Sequence, residues 1–168
     1  MTARGVRLAA LGVIVFVGCA GARRRVEVPL SFVPPPLMFD WRRELISDVV
    51  QAWTPIERSA VGVDPTHGRL FVGVSDGFFR AVGAGDGATL WSVQALGAVH
   101  SEAVYDGEHD MVFYGSDGGA ITMARASDGS TVWRRVLRGV VRQPAVLDGD
   151  VVYVASGDDT VTALGRTD

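Results

Sequence analysis

The chain has 168 residues, of which 48% are hydrophobic and 21% charged. This balance is typical of a globular protein with its own core and not of a disordered chain. The net charge is −3 at pH 7, and the basic residues are all arginine. Because general nucleic-acid binding needs a basic face, we expect no nucleic-acid partner.

Residues 1–19 have the pattern of an export signal. Arg4 and Arg7 precede an apolar run at 8–17, which is too short to span a bilayer as a helix. The single cysteine, Cys19, follows this run in the sequence Phe16-Val-Gly-Cys, which resembles a bacterial lipobox with Phe16 at the usual leucine position. The resemblance implies that Cys19 is lipidated and becomes the first residue of the mature protein. An ordinary signal peptide, or an uncleaved anchor with an incidental cysteine, is the alternative.

Two short segments separate this signal from the rest of the chain. Residues 20–37 contain three consecutive arginines and three consecutive prolines, and we interpret them as a stiff, extended tether. Residues 38–56 begin with Trp41-Arg-Arg, which is similar to Trp133-Arg-Arg later in the chain. We therefore predict an outer strand at Trp41 that closes a blade started elsewhere, followed by a connector.

The remaining residues, 57–168, repeat with a period of about 40 residues. The pattern Asp-Gly, two residues, an aliphatic residue and Trp occurs at 86–91 and returns 42 residues later at 128–133. A second Asp turn recurs at Asp76, Asp117 and Asp158. A period of roughly 40–45 residues with several short strands is typical of β-propeller blades. The positions that define the repeat are Trp41, Asp76, Gly77, Asp86, Gly87, Trp91, Asp117, Gly118, Asp128, Gly129, Trp133 and Asp158.

Each repeat is predicted to hold four short antiparallel strands. The first strands are expected at 59–61, 102–104 and 144–146, and the six Asp-Gly pairs are expected to form two-residue hairpin turns. Trp91 and Trp133 are expected to be buried between neighbouring blades. The sequence therefore predicts an all-β fold with about two full blades and a partial third, which is an incomplete propeller.

The repeat resembles the PQQ-like propeller repeat, and the export signal makes the chain similar to the BamB-like lipoproteins. The resemblance covers residues 57–168 and is carried by Ala103-Val104, the segment 113–118 and the segment 128–133. It implies a non-catalytic scaffold at the periplasmic face of the outer membrane. Such a scaffold assists the β-barrel assembly machinery by docking onto its central barrel protein.

Two other functions are compatible with the same repeat. A quinoprotein dehydrogenase fragment would bind a quinone and calcium, in many members beside a disulfide of adjacent cysteines, but here the one cysteine lies at position 19. The regular aspartates lie in turns, and the three histidines share no metal-ligand spacing. We therefore expect no enzyme, cofactor or metal site. An extracytoplasmic sensor or ligand-binding propeller remains the other alternative.

A closed ring needs about four blades or more. We expect a truncated propeller, or else a subunit that completes a ring with other copies. In either case an unpaired blade edge could lead to self-association.

Overall fold

The computed structural model describes residues 40–45 and 59–167. The predicted export signal with Cys19, the tether at 20–37 and the connector from residue 46 onward lie outside the described residues and stay predictions. In the part that is described, no helix is long and apolar enough to cross a membrane.

The described residues form eleven strands in three antiparallel sheets. The first blade holds β1 (Gly62–Asp64), β2 (Arg69–Gly73), β3 (Phe78–Gly83) and β4 (Thr89–Gln94). The second holds β5 (Val104–Asp106), β6 (Met111–Gly115), β7 (Ala120–Arg125) and β8 (Thr131–Val136). The third holds β9 (Val146–Asp148), β10 (Val151–Ser156) and β11 (Thr160–Gly165).

This arrangement confirms the predicted fold class. Strands that follow one another in the chain are neighbours within each sheet, as in a propeller blade. The registers also repeat, since Phe71 pairs with Ala81, Phe113 with Met123 and Tyr153 with Ala163. The described residues therefore contain two four-stranded blades and three strands of another, and these sheets do not close a ring.

The first strand of each sheet begins later than we predicted from the small residues. The structure has strands from Gly62, Val104 and Val146 in place of starts at 59, 102 and 144. The reason is visible in the second blade, where the Ser101 hydroxyl accepts from Gly115 N at 2.6 Å and donates to Gly115 O at 3.1 Å. A side chain thus satisfies backbone groups that a longer strand would have paired.

The turn geometry also differs from the prediction. Among the Asp-Gly pairs, positive φ falls on Gly77, Gly87, Gly129 and Gly149, while the preceding aspartates lack it. Most of these hairpins have loops of four or five residues, in which one glycine adopts the left-handed conformation. Only the β9–β10 connection, Gly149-Asp150, is a two-residue loop.

The core lies between the sheets rather than within one of them. Phe71, Phe79 and Ala81 of the first blade pack with Val112 and Tyr114 of the second. The Phe79 and Tyr114 rings stack with centroids 3.9 Å apart. A second cluster repeats this arrangement between the second and third blades, with Phe113, Ile121, Met123, Val152 and Val154 among its members. Because β6 of the second blade is covered on both faces, its sequence MVFYG is one continuous apolar run.

Candidate functional site

Tryptophan side chains connect each sheet to the next one. The Trp91 Nε1 donates to the carbonyl of Ala126 at 3.0 Å, and the Trp133 Nε1 donates to the carbonyl of Arg166 at 2.7 Å. Trp41 uses the same contact to the carbonyl of Ala84 at 2.8 Å. Residues 40–45 form no strand in the described structure, although Trp41 makes the contact that Trp91 and Trp133 make from outer strands.

The predicted Asp-Gly positions lie in turns, and most of the aspartates accept hydrogen bonds from groups of the turn in which they lie. The carboxylates of Asp76, Asp86 and Asp128 accept from the backbone N–H two residues further on, at 2.8–2.9 Å. The Asp158 carboxylate instead binds the hydroxyls of Ser156 and Thr160, at 2.5 and 2.7 Å. These contacts stabilise the turns and give the aspartates a structural role.

Asp117 differs, because it connects two interblade loops. Its carboxylate accepts from Arg142 at 2.8 and 2.9 Å and lies 3.1 Å from His100 Nδ1. Hydrogen bonds from Arg142 hold the pKa of the Asp117 carboxyl below its usual value. His100 precedes the second blade and Arg142 precedes the third, so this aspartate fastens both loops to the β6–β7 turn.

A buried ion pair in the first blade also contacts the second blade. The Asp64 carboxylate is fully buried and accepts from Arg69 Nε at 2.6 Å, while the same guanidinium also binds Asp110. Burial raises the pKa of the Asp64 carboxyl, but hydrogen bonds from Arg69 and His67 outweigh it and the pKa lies below its usual value. The pairing satisfies a charge that would otherwise be costly to bury.

An equivalent cluster between the second and third blades uses a different arginine. Arg166 Nη1 lies 3.0 Å from the Asp106 carboxylate and also contacts His109. In both places carboxylate oxygens and a histidine nitrogen lie within 4.8 Å of one another, close enough in principle to share a metal ion. Because a guanidinium lies among the ligand atoms of each cluster, a metal ion would have to displace it, and the donor sets do not favour a metal centre.

Exposed cations gather along β8 and the loop that follows it. We call Arg134, Arg135, Arg138 and Arg142 the arginine strip; all four are exposed. No Asp or Glu occurs between residues 129 and 147. Among the described residues, none of Arg134, Arg135 and Arg138 pairs with a carboxylate, whereas Arg142 binds Asp117.

Apolar side chains alternate with these cations. Val132 and Val136 lie on the same face of β8 as Arg134 and are 41% and 65% exposed. The equivalent strand of the first blade, Thr89–Gln94, carries no charge at all, so the repeat does not require the arginines. Arginine is enriched in protein interfaces, and the buried core of an interface is more apolar than the rest of the surface.

Sequence reasoning missed the Asp64–Arg69–Asp110 pairing. Aspartates in turns look alike in the sequence, and the partner Asp110 lies 41 residues from Arg69. An alignment of the three repeats with one another would have indicated this pairing, because Arg69 stands where the later repeats have Met111 and Val151. A charged residue at an otherwise apolar position of a repeat indicates a specific buried partner.

The stacked antiparallel sheets and the repeating tryptophan contacts define a protein of the β-propeller class, built from PQQ-like repeats. The family model described as outer membrane protein assembly factor BamB matches residues 75–168, more than half of the chain. The chain belongs to this family. No curated protein matches it.

Solved structures of the same fold include one from this family. BamB from Moraxella catarrhalis is 27% identical, with a TM-score of 0.56, and the match covers 66% of this chain and 34% of that protein. The chain thus spans about a third of that relative's length. The computationally designed Ika4 protein (17% identity, TM-score 0.55, covering 62% and 63%) and Saccharomyces cerevisiae Sqt1 (17%, 0.56, 64% and 31%) share the fold alone.

Proposed function

We propose that this chain is a non-catalytic, protein-binding scaffold of the cell envelope that assists the assembly of β-barrel proteins into the outer membrane. Membership of the BamB family supports this role. In the described residues, the clusters that bring carboxylates and a histidine together also contain arginine, which favours a structural use of these groups over catalysis. The rigid sheets would present loops and edges to a partner protein.

The observation that carries the proposal is the arginine strip with its two valines. Its unpaired guanidinium groups suit an acidic partner surface, which they can bind through bidentate hydrogen bonds. Val132 and Val136 would add apolar area to the same contact. The alternative is that these charges bind no partner and only discourage edge-to-edge pairing of β8 with other chains.

Charge reversal separates the two roles. We would isolate the tagged full chain from detergent-solubilised envelopes and measure how much of the central barrel protein of the assembly machinery is retained. Arg134→Glu and Arg135→Glu should each lower the retained amount, whereas Arg125→Glu should not. Arg125 is the matched control because it is also exposed on the second blade and its hydrogen bond goes to Ser130. If all three variants retained as much of the barrel protein as the wild type, the arginine strip would only prevent edge-to-edge pairing.

The membrane anchor is a separate part of the proposal. Cys19 would carry the lipid, with the tether at 20–37 spacing the blades from the periplasmic face of the outer membrane. Metabolic labelling with palmitate should mark the wild-type chain, and Cys19→Ala should abolish the label. Continued labelling of Cys19→Ala would place the modification elsewhere and contradict the lipobox.

A further inference from the structure

One residue of the arginine strip, Arg134, is held in place by a buried hydroxyl. Its Nε donates to Thr122 Oγ1 at 3.3 Å, and Thr122 is only 2% exposed. Thr122 lies opposite Arg134 on one side and opposite Tyr114 on the other, so these residues form a row across the second blade. Because Tyr114 stacks on Phe79, the row faces the first blade, and both of these blades have four strands.

The first blade shows how an arginine in the same row is satisfied when its role is structural. Arg80, the equivalent of Thr122, binds the carboxylate of Asp76 through both terminal nitrogens, at 3.1 and 2.5 Å. The equivalent aspartate of the second blade, Asp117, is already bound by other side chains. Arg134 has no carboxylate partner among the described residues, so its terminal nitrogens can bind one from another molecule.

The bond to Thr122 orients the Arg134 guanidinium for such a ligand. With Nε fixed, the two Nη atoms present parallel N–H groups, which match the two oxygens of a carboxylate. Arg135 differs, because it lies on the opposite face of β8 with its guanidinium 5.9 Å from the centroid of the Trp133 ring. Of these two neighbours, Arg134 is therefore the one prepared for bidentate recognition.

The neighbours of Arg134 on the same face set the spacing of the ligand. Val132 and Val136 lie two positions before and after it and are both exposed. Side chains on one face of an extended chain repeat every two residues, about 7 Å apart. A second extended segment therefore matches this face when it has an acidic residue with aliphatic residues two positions before and after it. Opposite charges on neighbouring strands stabilise such a pairing.

We propose that Arg134 determines the specificity of the arginine strip, and that its ligand is an extended protein segment of the pattern aliphatic-x-acidic-x-aliphatic. The segment lies beside β8, which is the outer strand of its blade. This inference rests on the proposed function, since it names the element by which the partner is recognised. The other arginines of the strip attract acidic segments in general, whereas Arg134 with Val132 and Val136 selects the pattern.

Two synthetic peptides of equal composition test the pattern. We would titrate the full chain in mild detergent with a capped peptide containing Val-Thr-Glu-Thr-Val and with its isomer Thr-Val-Glu-Val-Thr, following the amide NMR signals of β8. The first should bind about tenfold more tightly, because only it places both valines on the same face as the glutamate. Equal binding of the two peptides, or binding of neither, would overturn the proposal. Binding to phosphatidylglycerol vesicles instead would assign the strip to a lipid surface.

Charge-conserving variants test the role of Arg134. Arg134→Lys loses the bidentate fork and Thr122→Val loses its anchor, so each should weaken binding of the first peptide about tenfold. Thr122→Ser keeps the hydroxyl and should bind like the wild type. Arg135→Lys is the matched control and should change the affinity by less than about twofold. Unchanged affinity in Arg134→Lys would contradict the assignment.

Retention of the central barrel protein separates this inference from the proposed function. We expect Arg134→Lys to retain less of it than Arg135→Lys does. If Arg134→Lys retained as much as the wild type while Arg134→Glu did not, the strip would act through charge alone. The specificity assigned to Arg134 would then be wrong, and the scaffold role would stand.

Discussion

Trp91 of the first blade rests on Gly129 of the second, in the turn that connects β7 to β8. A Cβ at Gly129 would lie 2.6 Å from the indole Cε3, and this glycine has a φ of 75°. Trp41 and Gly87 form the same contact one repeat earlier. The Asp-Gly and Trp motifs therefore belong to one structural unit, in which the glycine leaves room for the tryptophan of the neighbouring blade.

Replacing this glycine tests the contact. Gly129→Ala should lower the free energy of unfolding through both backbone strain and a clash with Trp91. Gly149→Ala has the positive φ but nothing within 4 Å of the new methyl group, so it should cost only the strain, about 1–2 kcal/mol. Gly85→Ala has neither problem and should stay within about 0.5 kcal/mol of the wild type. Chemical denaturation measures all three, and equal costs for Gly129→Ala and Gly149→Ala would contradict the indole contact.

The indole of Trp133 contributes both buried area and a hydrogen bond. Trp133→Ala should cost about 3–5 kcal/mol, because it leaves a cavity between the second and third blades. Trp133→Phe keeps most of the apolar area but leaves the Arg166 carbonyl without its donor, at 2.7 Å in the wild type, and should cost at least about 1 kcal/mol. Thermal unfolding checks both, and a neutral Trp133→Phe would show that the hydrogen bond adds nothing.

Acid should weaken the buried ion pair between Asp64 and Arg69. The pKa of the Asp64 carboxyl lies below its usual value in the folded state, so the group stabilises the fold above its unfolded pKa of about 3.9. That stabilisation is lost as the pH falls from about 4 through the folded pKa. Asp64→Asn keeps an oxygen for the turn N–H groups of Thr66 and His67 but removes the charge.

The measurement is the free energy of unfolding between neutral pH and pH 2. The wild type should lose stability steeply below about pH 4, and Asp64→Asn should show a smaller loss over the same range. It should also be less stable at neutral pH, because Arg69 then keeps only Asp110 as a charged partner. Identical acid profiles for the two proteins would contradict the role assigned to Asp64.

Arg142 should control the ionisation of Asp117. Its guanidinium donates two hydrogen bonds to this carboxylate, and those bonds are the main reason why the Asp117 pKa is low. Arg142→Ala should therefore raise the Asp117 pKa toward its usual value, which a carbonyl-carbon NMR titration would detect. Arg125→Ala is the control and should leave the Asp117 pKa unchanged. Because Arg142 is exposed, we expect a small effect on global stability.

The sequence was sufficient for the fold because blade stacking repeats the same physical requirements. The first two blades each place a glycine where a tryptophan packs, and their short strands are joined by turns, so these residues return at a fixed spacing. The first strand was misplaced because Ser101 makes its backbone contacts through a side chain, which strand propensity does not report. The two-residue turns were mispredicted because Asp-Gly also suits longer loops with a single positive φ.

The candidate binding surface was harder to predict. The sequence placed the charged residues Arg134 and Arg135 on an outer strand. Whether they pair with carboxylates depends on which Asp and Glu side chains lie near them in the folded chain. Arg142 is an example, because its partner Asp117 lies 25 residues earlier in the sequence. Arg134, Arg135 and Arg138 have no carboxylate partner in the described part of the chain. The sequence does not tell whether an apolar residue such as Val136 is exposed. Its place in the candidate binding surface follows only from the structure, in which it lies exposed on the same face of β8 as Arg134.

The most direct test of the proposed function is the amount of folded β-barrel protein in the outer membrane after deletion of the gene. We expect the amount to fall, and expression of the wild-type chain to restore it. A version with both Arg134→Glu and Arg135→Glu should reach the same level in the envelope but fail to restore barrel assembly. Unchanged barrel proteins in the deletion strain, or full rescue by the charge-reversed chain, would contradict a scaffold that acts through the arginine strip.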